Sequence, residues 1–297
     1  MNSSSASKGM PWLFCAQIMV ATNIVISKSL LTLIPILIMM NIRFALAALI
    51  LLPMHWCISH TFSIRKEMTN LTRKDWIFIL AQALSAGVLF NCLMLKGLHS
   101  TDANIAGIIT SALPAMIALF SCVFLKETLS LRKIICILLA STGLLVIAYD
   151  KFEHLSNDHS FLGDAIILFS LVPEAGYYIL TKVHTIKLPI FLIASLLNAI
   201  NAMILLPFAW LQPWNIHSFT PMHWLIMVIL GLSAALFYVF WLKGSQTTDG
   251  TMASLSTAVM PVATVIIAWL LLGEDINLYE SLGLGLVLSS IYMYAKR

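Results

Sequence analysis

Residues 89–131 read LFNCLMLKGLHSTDANIAGIITSALPAMIALFSCVFLKETLSL, and residues 236–278 read LFYVFWLKGSQTTDGTMASLSTAVMPVATVIIAWLLLGEDINL. The two stretches align without a gap at an offset of 147 residues. Their matches include charged residues, glycines and prolines: Lys96 and Lys243, Gly97 and Gly244, Asp102 and Asp249, Pro114 and Pro261, Glu127 and Glu274. Such matches are not expected by chance in an apolar chain, so the two stretches are copies.

The repeat continues upstream at an offset of 154 residues. The matched pairs there are Lys28 and Lys182, Pro35 and Pro189, and Pro53 and Pro207. The chain is therefore a tandem duplication, and the two copies differ in length by seven residues before the third apolar segment. Because internal repeats decide the architecture, we expect two related halves, residues 1–149 and residues 150–297.

The composition is that of an integral membrane protein. Hydrophobic residues make up 60% of the chain, charged residues only 10%, and the mean hydropathy is +0.94, whereas soluble domains are about 45–50% apolar and about 25% charged. The basic residues are spread over short loops, which argues against nucleic acid as a partner. The five cysteines are scattered through apolar runs and form no metal-binding or disulfide pattern. We therefore expect no metal and no cofactor.

Ten apolar runs are long enough to cross about 30 Å of hydrocarbon as helices, which takes about 20 residues. They cover residues 12–31, 35–58, 76–95, 103–125, 132–149, 161–181, 188–211, 222–242, 250–272 and 278–295. The sequence therefore predicts an all-α integral membrane protein with ten transmembrane helices, arranged as two repeats of five.

The orientation follows from Lys and Arg in the short loops. If the N-terminus is cytoplasmic, thirteen basic residues lie inside and three, Lys28, Lys96 and Lys151, lie outside. Because five spans per half is an odd number, the second half enters the membrane from the opposite side. Such inverted repeats give transporters two halves that rock around a midplane site. We therefore expect cytoplasmic termini and transport by alternating access.

The repeated stretches resemble the EamA family of the drug/metabolite transporter superfamily. The motifs that carry the resemblance are TNIVISKSL at residues 22–30, NIRFALAALILLP at residues 41–53, the block at residues 95–147 and its copy at 236–293. The resemblance covers about residues 10–295. It implies ten helices, cytoplasmic termini and secondary transport or exchange of small metabolites. One departure from the repeat is Leu197, which stands where the first copy has Arg43.

Glu174 is the sharpest candidate for chemistry. It lies near the middle of the sixth span, directly after Pro173, and a carboxylate there is costly unless it is paired, protonated or hydrated. Tyr177 and Tyr178 follow three and four residues later, so one or both share its helical face. Carboxylate and rings together suit an amino group or an organic cation, and Glu174 could also carry a coupling proton. The alternatives are a structural ion pair with Arg43 or Lys28, or a hydrated vestibule.

Arg43 could hold a substrate carboxylate, although its place in the family motif also fits a structural role. Amides fall inside several apolar runs, where they line a cavity or bond between helices: Asn23, Gln82, Asn91, Asn104, Asn198 and Asn201. Phe237, Tyr238 and Trp241 form an aromatic group in the eighth span, either core packing or the wall of a cavity.

We therefore expect a secondary active transporter of small polar metabolites in a bacterial inner membrane, with export of amino acids or related metabolites as the leading function. The alternative is uptake or exchange of a cationic or nucleoside-like metabolite such as S-adenosylmethionine. The expected partners are the substrate, membrane lipid and protons as a candidate coupling ion, and the protein is a monomer or a homodimer. No known catalytic motif occurs in a suitable setting, so we do not expect an enzyme.

Overall fold

The computed structural model describes residues 3–27, 30, 33–59, 64–98, 109, 112–128, 130–149, 161–214, 219–248, 250–272 and 278–295. Within these ranges the chain is helical and contains no strand. A π-helical segment, Ala83–Leu89, joins α4 to α5. The α-helices are α1 Ser3–Ser27, α2 Ile36–Ser59, α3 Ile64–Thr69, α4 Arg73–Gln82, α5 Phe90–Leu98, α6 Leu113–Leu125, α7 Leu131–Tyr149, α8 Phe161–Val183, α9 Ile190–Trp210, α10 Pro221–Ser245, α11 Gly250–Thr257, α12 Val259–Leu272 and α13 Leu278–Ala295.

Six helical stretches among the described residues are long and apolar enough to cross a membrane, and they make the chain a multi-pass membrane protein. They are Gly9–Ser27, Ile36–Cys57, Arg73–Met94, Phe161–Val183, Ile190–Trp210 and Pro221–Ser245. The other four predicted spans also contain helices, namely α6, α7, α11 with α12, and α13. The number of ten spans stays a prediction.

The third predicted span of each half begins with a capped helix. Thr72 accepts a hydrogen bond from the Asp75 backbone N–H, and the Asp75 carboxylate accepts one from the Thr72 backbone N–H. Thr220 and His223 form the same reciprocal pair at the start of α10. These bonds satisfy N–H groups that have no partner within the helix.

The helices pack in pairs that obey the sequence repeat. Under the two offsets, α1 corresponds to α8, α2 to α9, α4 with α5 to α10, α6 to α12 and α7 to α13. The packing of α1 on α10 is matched by that of α5 on α8, and the packing of α1 on α12 by that of α6 on α8. The pairs α2–α9 and α7–α13 each join a helix to its own equivalent. Each half therefore contacts the other through the same surfaces.

One pair of hydrogen bonds shows this symmetry at the level of single atoms. Asn41 donates to the carbonyl of Ala202 at 2.6 Å, and Ser195 donates to the carbonyl of Ala48 at 3.0 Å. Asn41 is equivalent to Ser195, and Ala48 to Ala202, at the offset of 154 residues. The two bonds are therefore equivalent contacts between α2 and α9, one donated by each half.

The close helix crossings repeat in the same way. A Cβ atom on Gly97 would lie 3.0 Å from the carbonyl oxygen of Gly163, and a Cβ atom on Gly244 would lie 3.0 Å from that of Gly9. Gly97 and Gly244 are matched residues of the repeat, as are Gly9 and Gly163. Small residues let helix backbones approach closely in membranes, so these glycines fix the distance between the halves.

Candidate functional site

Glu174 lies in the middle of α8 and is 9% exposed. The hydroxyl of Tyr178, one turn along the helix, donates to its carboxylate at 2.9 Å. The carbonyl of Pro173 accepts a hydrogen bond from Ser85, which lies in the π-helical segment of the first half. Such segments are frequent at functional sites, and this one packs directly beside the carboxylate-bearing turn of α8.

The Tyr178 ring that bonds this carboxylate belongs to a cluster of aromatic side chains. Tyr178 lies against Trp241 with 4.2 Å between ring centroids, and Tyr177 contacts Tyr238 edge-on at 6.0 Å. Tyr177 also lies 6.5 Å from Phe237. The rings come from α8 and α10, and together they form a wall that is buried inside the bundle.

Tyr238 connects this wall to α9. Asn201 donates to its hydroxyl at 3.2 Å, and Asn201 is fully buried. Gly87 of the π-helical segment makes room for this amide, because a Cβ atom at Gly87 would lie only 2.1 Å from the Asn201 side chain. The π-helical segment thus contacts two helices of the second half, α8 through the Pro173 carbonyl and α9 through the Asn201 side chain.

Arg43 is held by a side chain of α1, not by the aromatic wall. Its guanidinium donates to the Asn23 side chain at 2.5 Å. Asn23 in turn donates to the carbonyl of Leu230 at 3.1 Å and to Ser233 at 2.9 Å, both on α10. All of these are neutral groups. The Nε atom of Arg43 is buried without a hydrogen-bond partner.

The two charges do not pair with each other. Among the described residues, neither Glu174 nor Arg43 forms a salt bridge. Tyr238 interacts electrostatically with both of them, so both charges lie within range of one tyrosine. The ion pair between Glu174 and Arg43, left open by the sequence, is absent. Lys28, the other candidate partner, lies outside the described residues.

Unpartnered polar atoms gather in the same region. Most buried polar groups in proteins have a hydrogen-bond partner, yet several here have none. They are Gln17 Nε2, Arg43 Nε, the Tyr177 hydroxyl, Asn201 Oδ1 and Trp241 Nε1. We name Gln17, Arg43, Glu174, Tyr177, Tyr178, Asn201, Tyr238 and Trp241 the central polar cluster. Its free donors and acceptors suit a polar ligand.

The remaining predicted site residues lie outside this cluster. Asn91 is turned back on its own helix and donates to the carbonyls of Ala86 and Gly87 at 2.9 and 3.0 Å. Asn198 is buried and donates to the carbonyl of Ala194, and Gln82 lines a separate pocket. Asn104 lies outside the described residues. Substrate contact by Asn91 stays a prediction with no support from its contacts.

Gln17 and Ser85 also belong to this region, although neither was among the site residues predicted from the sequence. Gln17 is 1% exposed and lies beside the Tyr178 hydroxyl. It is an amide in the first apolar run, the same signal that pointed to Asn23, so the sequence contained the information. Ser85 carried no such signal, because a serine in a membrane helix usually bonds to its own backbone.

The cluster departs from the symmetry that the scaffold obeys. The equivalents of Glu174 and Arg43 are the apolar residues Val20 and Leu197. Among the described residues, no group of three or more His, Cys, Asp or Glu side chains could hold a metal ion. The helix packing is therefore symmetric between the two halves, whereas each charged residue of the central polar cluster occurs in only one copy of the repeat.

A helical membrane protein with two repeats around a central polar cluster has the architecture of a transporter. Its similarity to known proteins shows which kind of transporter it is. The profile of the EamA-like transporter family matches residues 7–149 and 161–295. The chain belongs to the EamA-like transporter family.

Curated relatives agree with this assignment, and a solved structure shares the fold. The uncharacterized transporter YetK of Bacillus subtilis is 25% identical over 288 residues, which is 95% of this chain and 84% of the relative. An uncharacterized transporter of Archaeoglobus fulgidus is 26% identical over 199 residues, or 66% of this chain and 69% of the relative. A protein of known crystal structure shares the fold with a TM-score of 0.81 at 15% identity, covering 97% of this chain and 96% of its own.

Proposed function

We propose that this protein is a secondary active transporter of a small zwitterionic metabolite, most simply an amino acid or a close relative, which it exports across a bacterial inner membrane. The observation that carries the proposal is the separation of Glu174 and Arg43. Each charge has only neutral hydrogen-bond partners among the described residues, and both interact electrostatically with Tyr238. A buried charge without a counter-charge is costly, and a ligand with both charges would offset both costs.

The contacts suggest how such a ligand would bind. Its carboxylate would meet the guanidinium of Arg43, whose planar fork suits carboxylates. Its ammonium group would meet the Glu174 carboxylate and the ring faces of Tyr177 or Trp241, because aromatic faces attract cations. A large or planar side chain would then lie along the aromatic wall.

The repeat provides the mechanism. We infer ten spans in two inverted halves, residues 1–149 and 150–297, with both termini in the cytoplasm. If the halves are related by inversion, exchanging their conformations turns an outward-open site into an inward-open one. Glu174 is our candidate carrier for a coupling proton, since a carboxylate inside a membrane is costly in its charged form. The protein would work as a monomer or as a homodimer.

One alternative has a specific observation in its favour. Tyr178, the hydrogen-bond partner of Glu174, packs in a group of four aromatic rings, an environment that also suits an organic cation. Uptake or exchange of a cationic or nucleoside-like metabolite such as S-adenosylmethionine is therefore the second candidate. In this case Arg43 would be structural, and a ligand without a carboxylate would bind as well as one that has it.

Counterflow in proteoliposomes tests the proposal. Vesicles that contain the purified protein are preloaded with one unlabelled amino acid each and then exposed to a trace of the same labelled compound. Labelled amino acid should accumulate for at least one side-chain class, and vesicles with an Arg43→Met variant should not accumulate it. Accumulation of labelled S-adenosylmethionine alone, equal in both proteins, would overturn the zwitterion assignment in favour of the alternative.

A further inference from the structure

A pocket opens between the ends of four helices, away from the central polar cluster. It is lined by Gln82 of α4, Thr181 of α8, Ile193 of α9 and Ser245 of α10, together with His184 beyond α8. We name it the Gln82 pocket. It lies at the end of the bundle where α4 begins and α8 ends, because His184, which follows α8, contacts Asp75 in the first turn of α4.

Gln82 connects the pocket lining to the π-helical segment, which packs beside the central polar cluster. This side chain is 1% exposed, and its Oε1 atom has no hydrogen-bond partner. The next residue begins the π-helical segment, which contacts both the Glu174 turn through Ser85 and Asn201 through Gly87. A buried, unpartnered amide in the lining of a pocket indicates that something polar passes or binds there.

The pocket is narrow in this structure. Its cavity volume is about 30 Å³, which is room for about two water molecules and too small for an amino acid. Two contacts hold its rim together. His184 Nε2 lies 2.7 Å from the Asp75 carboxylate, and Lys182 donates to the backbone carbonyls of Ser245 and Thr248.

The side chains that line the pocket suit a path for a polar ligand. The lining contains hydroxyls, amides and one imidazole beside aliphatic side chains, and no carboxylate, lysine or arginine. A zwitterion can exchange hydrogen bonds with such groups without being trapped by an opposite charge. Conduction in general requires sites from which the ligand can leave.

We propose that the Gln82 pocket is a transient binding site on the substrate pathway, and that it widens when the Asp75–His184 and Lys182 contacts separate. The substrate class rests on the proposed function and is a zwitterionic metabolite of amino-acid type. Widening of the pocket does not depend on that class, so the two claims can fail separately.

Cysteine labelling tests both claims on the full chain in proteoliposomes. Thr181→Cys is introduced into a transport-active background whose five native cysteines are replaced, and a membrane-impermeant maleimide measures its accessibility. Val183→Cys is the matched control, since Val183 is 50% exposed at the same depth on the same helix but does not line the pocket. Each is combined with Asp75→Asn, which weakens the contact to His184.

The expected result is that Asp75→Asn speeds labelling of Thr181→Cys about tenfold and leaves Val183→Cys unchanged. An equimolar mixture of the common amino acids should slow the labelling of Thr181→Cys only. If Thr181→Cys is labelled at the same rate with and without Asp75→Asn, the pathway claim is overturned, whatever the ligand. If the labelling responds to Asp75→Asn but not to amino acids, while a cation without a carboxylate such as choline does protect, the pathway stands and the proposed substrate class is wrong.

Discussion

Glu174 is the residue on which the proposed chemistry depends most. Replacing it by Gln keeps an acceptor for the Tyr178 hydroxyl, which lies 2.9 Å away, but removes the charge. We expect substrate affinity to fall about 10- to 100-fold, because a hydrogen bond to a charged group is worth about 1.5–3 kcal/mol. Stability should stay equal or rise, since a buried charge is costly. Binding isotherms and thermal unfolding of both proteins measure this.

The matched control for Glu174→Gln is Tyr178→Phe. It removes the hydrogen bond and leaves the carboxylate in place, so its effect on affinity should be smaller. A structural role for Glu174 makes the opposite forecast: Glu174→Gln would then lower the melting temperature and leave affinity as it was.

Gly87 is a second residue with a sharp requirement. A Cβ atom there would meet the Asn201 side chain at 2.1 Å, so Gly87→Ala should displace Asn201 and break its hydrogen bond to Tyr238. We expect a stability loss of about 1–3 kcal/mol from overpacking and lower transport. Gly285→Ala is the control, because a Cβ atom there has no neighbour within 4 Å. Equal behaviour of the two variants in thermal unfolding and transport would refute the positioning role of Gly87.

The members of the site could be predicted from the sequence better than their pairing. A carboxylate, an arginine and amides inside apolar runs are visible by residue type, and Glu174, Asn201 and Tyr238 are indeed buried together. Whether Glu174 meets Arg43 depends on how α8 and α2 are rotated about their axes. Side-chain periodicity does not fix this rotation in helices that are apolar on every face.

The symmetric contact between α2 and α9 belongs to the scale of elements. Asn41→Ala and Ser195→Ala should each destabilise the protein by a similar amount, on average about 0.6 kcal/mol for an interhelical hydrogen bond in a membrane. Transport should change little. Thermal unfolding of the single and double variants checks this, and additivity is expected for contacts without shared partners.

Exchanging the two residues provides the control for this pair. Asn41→Ser and Ser195→Asn keep a donor on each helix, so each half should tolerate the residue of the other. A large loss in only one of the two alanine variants would mean that the contacts are not equivalent.

The helices themselves were predictable to different degrees. Long apolar runs gave the six clear spans, because a run of about 20 apolar residues can hardly be anything else in a membrane protein. The π-helical segment Ala83–Leu89 could not be predicted, since nothing in its sequence ALSAGVL distinguishes π-helical from α-helical hydrogen bonding. The break between α11 and α12 at Ala258 was more predictable, because Pro261 has no N–H to donate to the carbonyl of Thr257 four residues earlier.

At the scale of the whole molecule, symmetric and asymmetric contacts should behave differently. A contact made identically by both halves survives when the halves exchange conformations, whereas a contact made once must break. Ala48→Cys with Ser195→Cys, linked by a short thiol cross-linker, should therefore leave transport intact. Asp75→Cys with His184→Cys, linked in the same way, should abolish it, and reduction should restore it. Transport that persists with the second pair linked would argue against movement at this end.

The duplication was visible in the sequence because charges, glycines and prolines are in register. It also predicts which helices contact each other twice, as Gly97 with Gly163 and Gly244 with Gly9 do. The asymmetric parts were not predictable, because a repeat carries no information about where its copies differ in space. The central polar cluster and the Gln82 pocket both lie in those parts.

The most direct measurement is a thermal-shift comparison of three ligand sets: amino acids, their methyl esters and their N-acetyl derivatives. The esters lack the negative charge and the N-acetyl compounds lack the positive one. A ligand at about 100 times its Kd stabilises the native state by about 2.7 kcal/mol. We predict that only free amino acids raise the melting temperature, and that Glu174→Gln and Arg43→Met each remove the shift. Equal stabilisation by the esters, or a full shift in Arg43→Met, would contradict a zwitterion site between Glu174 and Arg43.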